Sequence, residues 1–211
     1  MKIQRLIVGE LDTNCYLLSN DNGNGLVIDP GADGQDIIAE IEDNEFTPCA
    51  ILLTHGHYDH IGGVNAIVEN FNIPVYAHQK EIEMLFNPQK NMSAFFQQPV
   101  SIYAEPITGD ILAEFGFDKL EIIHIPGHTE GSIGIIGDGF FISGDTVFSG
   151  GGIGITDIPA GNLEQLIRSI EVIIKLPDEL TLYPGHGGRS TLGREKKLWR
   201  QAIRMFNEGM M

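Results

Sequence analysis

The sequence predicts an α/β protein whose mixed sheets are covered by helices. Three observations carry that expectation. Short apolar, β-like runs alternate with segments of helical period, the alternation is present in both halves, and 211 residues with 42% apolar content are enough to bury a core. The chain is read as one domain over residues 1–211, because a second independent domain would be cramped.

The elements follow in order. IQRLIV and NCYLLS read as strands, NDNGNG as turn material, and LVIDPG as a strand running into a tight turn. A polar-apolar helix is expected from Gly34 to Glu45, then a buried strand AILLT, a helix from Gly63 to Phe71 and a short strand PVYA. Glu81 to Phe86 continues as helix. Asn87 to Pro106 has no period and carries Pro88, Pro99, Pro106 and the pair Phe95-Phe96, so it reads as a long loop, either a lid or the cover of a core edge. In the second half LEIIHI, SIGIIG and GFFISG are strands, followed by a glycine-rich run (Gly150 to Gly154), a helix (Asn162 to Lys175), the strand ELTLYP and a final helix. No low-complexity tract and no short repeat interrupts the pattern.

Composition narrows the function. The formal net charge of −16 argues against a nucleic-acid partner, since such affinity rests largely on Lys and Arg neutralising phosphates. Six of the thirteen basic residues (Arg189, Arg194, Lys196, Lys197, Arg200, Arg204) fall in the last 23 positions. They form either a solvated helix face or a basic rim that attracts an anionic substrate. The N-terminus lacks the progression of a signal peptide and no apolar run approaches the roughly 20 residues that span a membrane, so the expectation is a cytoplasmic protein without a membrane partner. Cys15 and Cys49 sit in strand-like segments, where reduced thiols are expected.

The chemistry concentrates in LLTHGHYDHIGG, Leu52 to Gly63. His55, His57 and Asp59 share parity, so an extended chain would point them to one side and His60 away. The following helical pattern and Gly56, Gly62 and Gly63 let the backbone curl there, so that all four can serve cations. Three further fragments place a ligand-type residue beside glycine at a strand end: PGHT (His128), SGDT (Asp145) and PGHG (His186). Loops at one edge of a sheet are where α/β sites form. A lone histidine is ordinarily a hydrogen-bonded member of the fold. Five of seven at glycine-flanked strand ends are a different matter, while His78 and His124 keep the ordinary role. Thr54, Thr129 and Thr146 adjoin these positions, and Asp29, at the end of VIDPG, is the best candidate to support a ligand from behind or else to cap its turn.

The ordered set THGHYDHIGG, PGHT, SGDTVF and PGHG resembles the metallo-β-lactamase superfamily over essentially the whole chain, most of all its short glyoxalase II-like hydrolases. The resemblance implies a four-layer αβ/βα sandwich with two mixed sheets. It implies that His55, His57 and His128 hold one metal, that Asp59, His60 and His186 hold a second, and that Asp145 bridges them. Imidazole and carboxylate donors suit zinc, with iron or manganese also compatible. Two such ions sharing a water would lower its pKa from 15.7 to about 7, giving a bridging hydroxide to attack a thioester carbonyl, with Asp59 a ligand that can also orient that water or take its proton.

The expected activity is therefore a dinuclear metal-dependent hydrolase acting on a small molecule, a hydroxyacyl thioester such as S-lactoylglutathione or another small acyl thioester. A lactone or ester hydrolase and an iron-dependent persulfide dioxygenase are the rivals on the same fold. Asp145 stands where β-lactam-hydrolysing members would place a cysteine. The glutathione-gripping segment of full-length glyoxalase II enzymes has no counterpart after PGHG, and Gly154-Ile155-Thr156-Asp157 replaces the Gly-Arg-Thr-Asp of related short members, so thiol recognition is expected to differ.

Overall fold

The computed structural model describes residues 1–44, 46–96, 99–109 and 111–209. The backbone packs as two compact units, Met1–Leu120 and Glu121–Met211.

The first unit is built on a six-stranded sheet in sequence order: β1 (Lys2–Val8), β2 (Thr13–Ser19), β3 (Asn24–Ile28), β4 (Thr47–Leu52), β5 (Val75–Ala77) and β6 (Glu105–Pro106). β1, β2 and β3 pair antiparallel through short turns, whereas β3 to β6 pair parallel. Parallel neighbours need crossovers, and α1 (Gly34–Asp43) and α3 (Val64–Phe71) provide two of them. Their apolar spacing explains their placement: Ile37, Ile38 and Ile41 on α1, and Val64 and Ile67 on α3, are buried with Val27, Ile51 and Leu53 in one core. α1 gives way at Asn44, so the helix ends at Asp43, before Glu45, which lies outside the described residues. The helix expected from Glu81 is a 3-10 turn (Gln79–Glu81) leading into a helix over Ile82–Phe86.

The long loop has local structure of its own. Buried Asn91 donates from Nδ2 to the Leu85 and Val100 carbonyls at 3.2 and 2.8 Å, Ile102 N donates to Leu85 O, and the Ile102 side chain joins the core. That part covers a core edge, while Phe95 and Phe96 on a 3-10 turn (Ser93–Phe96) stay exposed.

The second unit carries a five-stranded sheet. Its strands are β7 (Glu121–His124), β8 (Ile133–Gly137), β9 (Phe140–Gly144), β10 (Thr181–Pro184) and β11 (Ser190–Thr191), in the order β11-β10-β9-β8-β7. All pairs are antiparallel except β9 with β10, which are joined through the helix Leu163–Ile173. Asn162 caps that helix by accepting from Gln165 N at 2.9 Å. Its buried face (Leu166, Ile167, Ile170, Ile173) packs with Phe141, Leu182 and the fully buried Trp199 of the terminal helix, Leu192–Asn207.

The terminal helix is only in part a solvated basic face. Arg194, Lys197, Arg200 and Arg204 are exposed, but Lys196 is buried, its aliphatic stem covered and its Nζ donating to the Leu176 carbonyl and to Asp178. This hydrogen bond and charge hold the Asp178 carboxyl below its ordinary value. Cys15 and Cys49 are both free thiols, as expected.

Candidate metal centre

In the first unit the parallel strand β4 delivers Leu53 and Thr54 into the interior, and the chain then turns sharply. His57 keeps extended angles, and a single helical turn, Tyr58–Ile61, begins directly after it, closed by His60 N donating to His57 O at 3.0 Å. This turn is the curl that the parity argument demanded. It swings His60 back toward the side occupied by His55, their ring centroids 4.1 Å apart, with those of His55 and His57 at 4.9 Å. His55, His57 and His60 are 1%, 5% and 0% exposed.

Asp29 organises this cluster from behind. It lies at the end of β3 in the left-handed region (φ 50°), fully buried, and accepts from Thr54 N at 2.7 Å and Thr54 Oγ1 at 2.5 Å. His60 Nδ1 lies 3.0 Å from the same carboxylate. An ionised carboxylate only accepts, so the imidazole proton resides on Nδ1 and the lone pair is carried by Nε2. That Nε2 lies 3.6 Å from Asp59 Oδ2, which also accepts from Thr13 Oγ1 at 3.3 Å. Gly31 permits the close approach of this loop to the helical turn, because a Cβ there would lie 1.6 Å from the Asp59 carbonyl oxygen.

Glu81 is a functional candidate absent from the sequence reading. It is fully buried and its Oε2 accepts from Gly56 N at 2.7 Å, pinning the peptide between His55 and His57. In sequence it stands in an ordinary amphipathic segment, and no local signal marks it. A second support, Asn91 O accepting from Tyr58 N at 2.9 Å, is a backbone contact and equally silent in sequence.

The second unit gathers the other three residues at strand ends. His128 follows β7 in a loop that passes against the helix Leu163–Ile173 so closely that Gly127 (φ 137°) has no room for a Cβ. The Ile155 carbonyl, which can only accept, holds His128 Nδ1 at 2.9 Å and again leaves Nε2 as the donor toward a cation. Asp145 follows β9 and His186 follows β10. Because β9 and β10 are parallel neighbours both residues emerge at the same end, where Gly185 N donates to Gly144 O at 2.9 Å. Asp145 Oδ2 lies 3.4 Å from His186 Nε2 and 3.8 Å from His128 Nε2.

Each unit therefore presents a compact donor set, His55, His57, Asp59 and His60 in the first and His128, Asp145 and His186 in the second. In the first, Asp29, His55 and His60 also place ligand-type atoms within 4.8 Å of one another. Buried imidazoles crowded at these distances, two of them anchored by Nδ1, and carboxylates at their Nε2 side fit a divalent cation of the zinc, iron or manganese kind.

The remaining candidates divide. Thr54 binds Asp29 and approaches His55 Nδ1 at 3.2 Å, whereas Thr129 turns to Ser132 Oγ at 2.7 Å. His78 accepts from Lys80 N as the cap of a 3-10 turn, and His124 Nε2 meets the Glu130 carbonyl. Both are hydrogen-bonded outside the donor sets, but neither is a core residue.

Residues 8–186 match the model of the metallo-β-lactamase superfamily, and the chain belongs to that superfamily. Among curated relatives, a probable metallo-hydrolase, YqgX of Bacillus subtilis, is 39% identical over 89% of this chain and 90% of its own length. The hydroxyacylglutathione hydrolase GloC of Haemophilus influenzae is 35% identical over 93% and 96%. Among solved structures, the BLEG-1 B3 metallo-β-lactamase superposes with a TM-score of 0.83 at 33% identity, covering 93% of this chain and 97% of that one. TTHA1623 in a di-iron-bound form gives 0.82 at 28% identity, covering 92% and 98%. The two mixed sheets with their helices are thus the metallo-β-lactamase fold, and membership of this family supports a metal-dependent hydrolase. No helix among the described residues is long and apolar enough to cross a membrane.

Proposed function

We propose that this chain is a dinuclear metal-dependent thioester hydrolase acting on a small acyl thioester, a hydroxyacyl thiol such as S-lactoylglutathione being the leading substrate. In this reading His55, His57 and His128 hold one ion, Asp59, His60 and His186 the other, and Asp145 serves both. The observation that carries it is the completeness of the donor set: all seven residues stand at strand ends or on the turn that follows, and His60 and His128 are anchored from behind. The similarity to GloC over nearly the whole of both chains supports the thioester. The di-iron form of TTHA1623 supports two ions and keeps iron beside zinc as the metal.

Bound ions would polarise the carbonyl and acidify water toward neutral pH. The protein's own work is positioning. Asp29 keeps the His60 proton on Nδ1, the Ile155 carbonyl does the same for His128, and Glu81 fixes the peptide between His55 and His57. Asp59, with Oδ2 held by Thr13, can take a proton as water adds to the acyl carbon and the carbon–sulfur bond breaks, releasing acid and thiol.

A second reading, β-lactam hydrolysis, is favoured by the likeness to BLEG-1, so Asp145 in place of a cysteine does not by itself exclude it. The test is metal analysis of the purified protein beside turnover of thioesters, lactones, β-lactams and persulfides. Two metals per chain with thioesters preferred is the expected result. Preferred β-lactam turnover would overturn it, as would one iron per chain with oxygen uptake on persulfide. His57→Ala is expected to lose metal and at least ~100-fold in turnover.

A further inference from the structure

We propose that the cleft beside Asp59 is a selectivity pocket for an uncharged, apolar acyl chain, and that its acidic rim turns away acyl groups ending in a carboxylate. The inference rests on the thioesterase reading and, within it, favours the plain acyl thioester over the small hydroxyacyl one. The cleft lies wholly within the first unit and has a volume of about 320 Å³. Leu11, in the turn between β1 and β2 and 48% exposed, is one apolar part of its lining. The Tyr58–Phe96 pair, whose rings stack at 4.0 Å and 17°, is another. These surfaces are apolar, face water and adjoin a proposed metal ligand. An acyl chain lying against them would remove both its own and their apolar area from solvent.

The charges decide what kind of chain. Glu10 and Asp33 join Asp59 in lining the cleft, and among the described residues that line it there is no lysine or arginine. Asp33 is held in place, its Oδ2 accepting from Gly9 N at 2.8 Å, so its carboxylate is tied to the hairpin. With Asp59 turned to the proposed metal, the far end of a carboxylate-tailed acyl group would approach Glu10 and Asp33, two like charges with no lysine or arginine among the described lining residues to pair with. Such juxtaposition opposes binding and thereby sets specificity.

The experiment compares three thioesters of one small uncharged thiol, N-acetylcysteamine: acetyl, hexanoyl and adipoyl. The last two match in length and differ by a terminal carboxylate. The metal-loaded protein is expected to show kcat/KM for hexanoyl at least about tenfold above both others. Phe96→Ala is expected to remove most of the hexanoyl-over-acetyl preference, and Glu10→Lys to narrow the gap between hexanoyl and adipoyl. Equal rates for hexanoyl and adipoyl, or a chain-length preference that survives Phe96→Ala, would overturn the proposal. The corresponding non-hydrolysable amides, titrated calorimetrically, supply a readout without chemistry. Tighter binding of the hexanoyl than the adipoyl amide supports the pocket even if no thioester is cleaved, which would sink the thioesterase reading alone. Thioester turnover with no preference in rate or binding would sink the pocket alone.

Discussion

Three donors converge on one buried carboxylate at Asp29, and the arrangement sets more than hydrogen bonding. By fixing the His60 tautomer it determines which nitrogen faces a cation, so Asp29→Asn, whose amide would confront N–H groups, is expected to weaken metal affinity by about 10–100-fold. Competition with a chromogenic chelator measures this directly. Glu81→Ala leaves the Gly56 N–H without its carboxylate and is expected to cost about 1–3 kcal/mol in urea unfolding. At this scale the sequence was informative where side chains with metal-binding chemistry stood beside glycines, which is true of five of the seven proposed ligands, Asp59 and His60 being the two read from their place in the same cluster. It suggested Asp29 through its strand-end position. Glu81 was invisible, because its partner is a peptide 25 positions away, and so was the Ile155 carbonyl, because a backbone acceptor has no residue code.

Elements long enough to show a period were legible in sequence, and several of the shortest were not. Glu105–Pro106, Ser190–Thr191 and the helical turn Ile111–Glu114 are two to four residues long and exist because neighbouring structure completes their hydrogen bonds. Lys196 shows the same limit on a long helix. Its position among other cations reads as solvated, yet the fold provides acceptors at Leu176 and Asp178 and buries it. The loop carrying His128 depends on the helix it crosses: a Cβ at Gly127 would lie 2.2 Å from Leu166 N, in a backbone conformation that side chains rarely adopt. Gly127→Ala is therefore expected to destabilise by more than ~3 kcal/mol, measured as a lowered urea midpoint, whereas Asn162→Ala on the same helix loses only its cap, about 1 kcal/mol.

Over the whole molecule, stability should depend on alkali in a defined way. Burial pushes the Cys49 thiol up to about 11 from its ordinary 9.0, and pushes Cys15 higher still, with the Asp29 charge adding to the effect. Both are acids that hold their proton more tightly when folded, so their contribution is complete below pH 9 and is lost as pH rises through the folded values. Urea midpoints should fall between pH 9 and 11, and Cys49→Ser should flatten the decline. The single tryptophan adds a different opportunity. Trp199 is entombed in the core of the second unit, its Nε1 donating to Gly152 O at 3.2 Å. Tryptophan emission, excited at the red edge where tyrosine does not absorb, therefore watches that half, while far-ultraviolet ellipticity watches both. If residues 1–211 melt cooperatively the two signals will coincide, and a gap between them would reveal halves that come apart in sequence.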